Sequence, residues 1–153
     1  DGGAGKITQT DEGKNIFLPS ANHLRLDKDL SEKMRSLKDN TELLRKIKDS
    51  WKPNVVPNTE LSMHIGSVVS VSGVIENTAI LEELKRQDRK LLGLEMEVYG
   101  MYFSATNCSN PKPKAIALKS IADFANTSKN DIYQTYASYT SARIMYEFIV
   151  SEL

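Results

Sequence analysis

Cysteine is almost missing from this 153-residue sequence. Cys108 stands alone, so no internal disulfide can form and no CxxC or Cys/His cluster exists to bind zinc. That scarcity fits a reducing, cytoplasmic setting. No apolar run approaches the roughly 18–20 residues that span a bilayer, and the chain does not open with the basic-then-apolar pattern of a secretion signal. Charge of one sign is not in excess: twenty Lys plus Arg balance twenty Asp plus Glu, which gives no indication of nucleic acid or a membrane as partner. There is no internal repeat and no low-complexity tract. The opening Asp1-Gly2-Gly3-Ala4-Gly5-Lys6 lacks the Gly-Lys-Ser/Thr end and the preceding strand of a P-loop, so it reads as a turn. It also lacks an initiator Met, which raises the expectation that the sequence is a piece of a longer chain.

What is present suits one domain with a sizeable core. Residues 1–25 mix Gly, Asn and Asp with scattered Ile7, Ile16, Phe17 and Leu18, a pattern of short extended pieces and turns. From Leu26 to Trp51 the apolar residues recur every three or four positions. Asp39-Asn40-Thr41 interrupts them with good N-cap residues, which predicts two helices. Glu60 to Ile75 reads as β-structure, rich in Val and Ile. A third helix is expected over Ala79 to Arg89, then the apolar run Leu91 to Leu94, then a helical segment within Met96 to Cys108 that Pro111 and Pro113 close. Ala115 to Ile121 suits a buried strand. Asn130 to Leu153 suits a long helix with Ile132, Tyr136, Tyr139, Arg143, Tyr146, Ile149 and Leu153 along one face. Strands alternating with helices predict an α/β architecture.

Two segments carry the chemistry: Gly93-Leu94-Glu95-Met96-Glu97 and Ala117-Leu118-Lys119-Ser120-Ile121-Ala122-Asp123-Phe124-Ala125. Each places acids beside an expected strand end, where open α/β sheets bind ligands. Glu95 and Glu97 also suit a bland role as first-turn acids facing a helix dipole. Glu-Met-Glu at the end of a strand, followed by a helix and then a strand running into Ala-Asp, resembles the nucleoside phosphorylase superfamily. That superfamily includes purine nucleoside and uridine phosphorylases and the methylthioadenosine/adenosylhomocysteine nucleosidases. The likeness spans residues 92–150 and continues through Asp131-Ile132-Tyr133-Gln134-Thr135-Tyr136-Ala137 into the last helix. Upstream, Gly66 to Ile75 looks like the family's preceding strand, with Val71 and Ser72 where Gly and an acid or Ser are usual.

The resemblance implies part of a mixed-sheet, three-layer phosphorylase-like domain with flanking helices. Residues 1–61 would be a loop-rich and helical insertion-like segment, and 62–153 the C-terminal half of the domain, with the N-terminal half missing. It implies cleavage of the N-glycosidic bond of a purine nucleoside or nucleotide by a nucleosidase or phosphorylase. Asp123 matches the acid that protonates the base at N7, and Lys119 the cation that positions the acid or the nucleophile. Glu97 matches the carboxylate on the ribose hydroxyls, Met96 the residue packed on the sugar, and Glu95 a supporting acid. Val74 and Ile75 would line the base pocket in place of an aromatic stacking residue. Ala122 stands where the family usually has Ser. No cofactor and no metal are implied, with phosphate the one candidate co-substrate, and relatives commonly form homo-oligomers.

The stretch from Gly5 to Pro57 resembles an insertion in phosphorylase-like domains fused to receiver or other signalling domains, some of which remove adenine from nucleotides such as ATP. An inactive nucleoside-sensing or oligomerisation module is the alternative from another class. His23 and His64 have no triad partners in the sequence and read as surface or packing residues. Trp51 reads as a core or interface anchor, and Tyr99, Tyr102, Phe103, Tyr136, Tyr139 and Tyr146 as core packing. Lys85 to Lys90 reads as a solvated helix end.

Overall fold

Asn40 sets the first boundary of the fold. In the computed structural model, which describes residues 5–9, 11–13, 15–19, 23–53, 55–71, 78–124 and 131–153, helix α1 (Lys28–Asp39) ends and helix α2 (Thr41–Asp49) begins on either side of it. The Asn40 N–H donates to Leu37 O at 3.1 Å, and its side chain accepts from the Leu43 N–H at 3.0 Å. One residue thus satisfies an end of each helix, as the capping chemistry of Asn allows. At the other end of α1, the Asp27 carboxylate accepts from the Asp29 and Leu30 N–H groups, and Lys114 pairs with both Asp27 and Asp29.

The N-terminal region forms an antiparallel hairpin of β1 (Gly5–Gln9) and β2 (Asn15–Pro19), in register from Gly5↔Pro19 to Gln9↔Asn15. Gly13 sits in its turn at φ 76°, a conformation that costs glycine little and other residues more. Strand β3 (Ser67–Ser70), helix α3 (Thr78–Gln87), strand β4 (Leu91–Glu95) and helix α4 (Val98–Asn107) follow, and helix α5 (Gln134–Glu152) closes the described chain. β3 and β4 pair in parallel, with an irregularity between Ser67 and Val68. Helix α3 joins them as the crossover that parallel neighbours require. The architecture is mixed α/β.

The core lies where α1 and α2 meet α5. Leu30, Met34, Leu37 and Phe148 form one buried cluster, and Leu44, Ile47 and Ile144 a second. Each of these side chains contributes on the order of 1.5–3 kcal/mol by leaving water. Trp51 packs on α5, its ring 4.9 Å from that of Tyr139 and edge-on to Tyr136 at 5.7 Å.

Four expectations are corrected. The buried stripe of α5 is Tyr136, Ala137, Thr140, Ile144 and Phe148, while Ile132, Tyr146, Ile149 and Leu153 are exposed. The helix is apolar on more than one side, and small side chains at 137 and 140, not large ones, let its neighbours approach. The β-structure expected over residues 60–75 shrinks, among the described residues, to Ser67–Ser70. Before it, Leu61, Met63 and Ile65 are partly buried and Ser62 and His64 exposed, with no strand partner among the described residues. Ala115 to Ile121 is likewise unpaired among the described residues: Ile116 and Leu118 pack on the core, but Ile121 is exposed. Among the described residues, it is side-chain burial rather than ladder pairing that accompanies the apolar pattern in both segments. Phe103 and Tyr146 are also exposed, outside the core expected for them.

Candidate functional site

Because β3 and β4 run parallel, their carboxyl ends lie together, with Ser70 and Glu95 in register. The Val71 N–H extends the pairing by donating to Glu95 O at 2.8 Å. The chain then turns through Met96 and Glu97 into α4. Glu97 occupies the N-cap position of α4 but makes no side-chain cap bond. Glu95 supplies that bond: its Oε2 accepts from the Glu97 and Val98 N–H groups at 2.7 and 2.6 Å. Its Oε1 accepts from the Ser70 hydroxyl, and Ser70 Oγ in turn accepts from the Tyr99 N–H at 2.8 Å. Both oxygens of this carboxylate, 8% exposed, are thus engaged in holding the strand–helix junction. Amides at a helix N-terminus are natural partners for an anion.

With Glu95 turned inward, Glu97 faces outward and meets Lys119, whose Nζ lies 2.5 Å from Glu97 Oε2 and 3.9 Å from Glu95 Oε2. The Lys119 hydrogen bond and charge hold the Glu97 carboxyl below the ordinary glutamate range. The two segments singled out in the sequence are therefore joined, across 22 residues, at the carboxyl end of the small parallel sheet.

The segment bearing Lys119 is sandwiched between two layers. Ile116 and Leu118 pack toward Leu30, Met34 and Phe148, and the Ser120 hydroxyl lies 2.7 Å from that of the buried Thr140 on α5. On the other side, Lys119 reaches Glu97, and a Cβ placed on Gly93 would sit 3.6 Å from Ile121 Cδ1. Ile116, Leu118 and Ser120 thus face the helices while Lys119 and Ile121 face α4 and β4, the alternation of an extended chain. Asp123 is half-buried and lies four residues further along this segment, up to about 13 Å from Lys119 at ~3.3 Å per residue of extended chain. Tyr102 of α4 meets the Ala117 backbone, and burial pushes its hydroxyl pKa up.

Of the residues singled out in the sequence, Glu95, Glu97 and Lys119 are brought into one cluster, with Asp123 four residues further along the strip that Lys119 anchors. Met96, between the two glutamates, is exposed. Val74 and Ile75 lie outside the described residues. Sequence reasoning missed Ser70, Ser120 and Thr140. The first two stand inside the very segments it quoted, but a hydroxyl carries no periodic signal of its own. Among the described residues no group of three His, Cys, Asp or Glu side chains is placed to hold a metal ion, and no helix is long and apolar enough to cross a membrane. Cys108 is exposed. Lys85 and Arg86 pair with Glu82 and Glu83 on the surface of α3.

No family model matches the chain, and no solved structure does. It is similar to the uncharacterized protein y4jS of Sinorhizobium fredii, at 28% identity over 147 residues, 94% of this chain and 34% of that protein. The chain spans about a third of the length of this curated relative.

Proposed function

We propose that the Glu97–Lys119–Asp123 strip is the nucleoside site of an N-glycosidase or phosphorylase, part of a three-layer phosphorylase-like domain. The observation that carries this reading is the Glu97–Lys119 pair. It unites the two motif segments at the carboxyl end of parallel strands, the place where α/β sheets bind ligands. Breaking the bond between C1′ and the base nitrogen sends its electron pair to the base and leaves positive charge on the ribose. Glu97, ionised and outward-facing, accepts hydrogen bonds from the ribose hydroxyls and lies near the developing cation. Asp123 delivers a proton to N7, so that the base departs neutral, and either phosphate anion adds to C1′ or water does, giving up a proton to solvent. Lys119 holds Glu97 and neutralises part of its charge. Glu95 fixes the turn that presents Glu97, and Met96 offers an apolar surface to the sugar. Val74 and Ile75 are assigned to the base pocket on the family likeness alone.

The proposed partners are a purine nucleoside or nucleotide and further copies of the chain, in a cytoplasmic setting. The exposed Phe124, next to Asp123 in this strip, together with a relative about three times as long, supports a site that further polypeptide completes. A receiver or other signalling domain on a longer chain, with ATP as substrate, fits the same chemistry.

The test is release of free base from adenosine, methylthioadenosine and ATP, followed by chromatography, using this chain and the longest open reading frame that contains it. Release from at least one substrate, abolished in Asp123→Asn, is the expected result. No release from any of them, with nucleoside binding unchanged in Asp123→Asn, would overturn the reading in favour of a non-catalytic module.

A further inference from the structure

Helix α5 is apolar on two opposite faces. Its buried stripe, which runs from Tyr136 to Phe148, packs on α1 through Phe148 and on α2 through Ile144. A second stripe, made of Tyr146, Ile149, Val150 and, just past the helix end, Leu153, is 53% to 73% exposed. At about 100° per residue the two stripes point roughly 160° apart, so one layer of neighbours cannot cover both. Polar residues mark the boundaries. Arg143 pairs with Glu147 at 2.7 Å, and its guanidinium lies 5.0 Å from the centre of the Tyr146 ring. On the other boundary Glu152 accepts from Lys33 Nζ of α1 through its carbonyl. Two apolar faces divided by polar edges suit a helix that lies between two layers.

The outer stripe has the spacing of a helix seam. Ala142, Tyr146, Ile149 and Leu153 are separated by four, three and four residues, the repeat by which helices pack side by side, and Ala142 is exposed with the others. The stripe is also complementary to itself. About a two-fold axis between Glu147 and Phe148, an antiparallel copy sets Leu153 over Ala142 and Ile149 over Tyr146. Small meets large in the outer layers and aliphatic meets aromatic in the inner ones, and each contact is made twice, as an isologous interface requires. A parallel copy would set Ala142 on Ala142 and Tyr146 on Tyr146, one layer underfilled and the next crowded. The seam carries no charge, and its edges hold Glu147 and Glu152 against Arg143, the wrong sign for an anionic membrane surface.

We propose that α5 joins two copies of this chain, antiparallel, through the Ala142–Tyr146–Ile149–Leu153 seam. The pairing is independent of the nucleoside reading and rests on α5 alone. The seam is about 17 Å long at ~1.5 Å per residue, and it buries less than the ~800 Å² per partner of a standard interface. A reversible dimer with a Kd on the order of tens of micromolar follows. At the lower concentrations of an unfolding experiment α5 is uncovered.

Sedimentation velocity over a concentration series tests this on wild type, Ile149→Lys, Tyr146→Glu and an equimolar mixture of the two variants. The same series is run on the longest open reading frame that contains the chain. Wild type should dimerise, and either variant should raise the Kd by about 30-fold or more. Both positions are exposed in the single chain, so the helical circular dichroism should be unchanged, and each variant answers the interface question without the other. The mixture should return to within about tenfold of the wild-type Kd. In it the new ammonium and carboxylate face each other in one layer while the other layer keeps its wild-type pair. Wild type that stays monomeric up to about 500 µM, well above the expected Kd, overturns the proposal. A dimer that survives either substitution does so too, because another face then holds the copies together. A mixture that stays monomeric overturns the antiparallel pairing. A dimer formed by this chain and absent from the longer reading frame assigns the stripe to further polypeptide and overturns the proposal as well.

Discussion

Lys119 sets its ammonium 2.5 Å from the Glu97 carboxylate, tying an extended segment that lacks a described strand partner to the turn between β4 and α4. Glu97 is largely exposed, with 70% of its side chain open to solvent. The pair therefore adds little to stability, and its meaning is geometric.

The pair has a pH signature. Lys119 lowers the Glu97 pKa below its ordinary 4.5, so whatever stability the pair contributes is fully present above that value and is lost as pH falls through the folded-state value. Lys119→Met should return Glu97 to an ordinary titration and leave the unfolding midpoint at pH 7 almost unchanged. NMR titration of the carboxyl measures this directly. Identical Glu97 curves in wild type and Lys119→Met would show that the pair does not persist in solution.

Glu95 should behave quite differently from its neighbour. It caps α4 through two amides and also takes the Ser70 hydroxyl, so Glu95→Ala leaves three buried or half-buried donors without their acceptor. The expected loss is about 2 kcal/mol, from capping and hydrogen-bond values of ~0.5–2 and ~1–3 kcal/mol. Glu97→Ala, which removes no cap bond, should cost under ~0.5 kcal/mol. Urea unfolding of the two variants decides it, and equal losses would remove the structural distinction between the two glutamates.

Where the sequence was legible, the reason is local chemistry. Asn40 marks the α1–α2 junction because its short amide can cap only from outside a helix, and the strand–helix change after Leu94 follows from an apolar run ending in acids. What stayed hidden depends on contacts between distant segments. Nothing in the residue types distinguishes the inward Glu95 from the outward Glu97, since the difference is made by the α4 cap bonds together with Ser70, 25 residues earlier. The alternation of 116, 118 and 120 with 119 and 121 was legible as extended chain. Whether a neighbouring strand pairs with it was not, because ladder partners lie outside any local window. Along α5, hydrophobicity misled because Thr140, fully buried, is polar while Ile149 is exposed.

That corrected helix face gives a sharp contrast between adjacent residues. Phe148 is fully buried against Leu30, Met34 and Leu37, whereas Ile149 is exposed. Phe148→Ala should cost about 3–5 kcal/mol by emptying the centre of the core. Ile149→Ala should change stability by less than ~1 kcal/mol. Chemical denaturation of both would test it, and a larger loss at 149 would mean that α5 is rotated or that its outer side is covered in solution.

The sharpest functional prediction separates the two ends of the scissile bond. Asp123→Asn keeps the shape of the side chain but cannot donate an acidic proton, so base release from a natural purine nucleoside should fall by about 100-fold or more. Unfolding stability should move by less than ~1 kcal/mol. A riboside whose leaving group departs without protonation, such as a nitrophenolate, bypasses that step. On it, Asp123→Asn should recover to within about tenfold of wild type, because only the acid's contribution has been removed. Glu97→Gln should be slow on both substrates, since the charge developing on the ribose is the same whatever leaves. Equal losses for Asp123→Asn on the two substrates would rule out proton delivery by Asp123 and leave it, at most, a residue that binds the base.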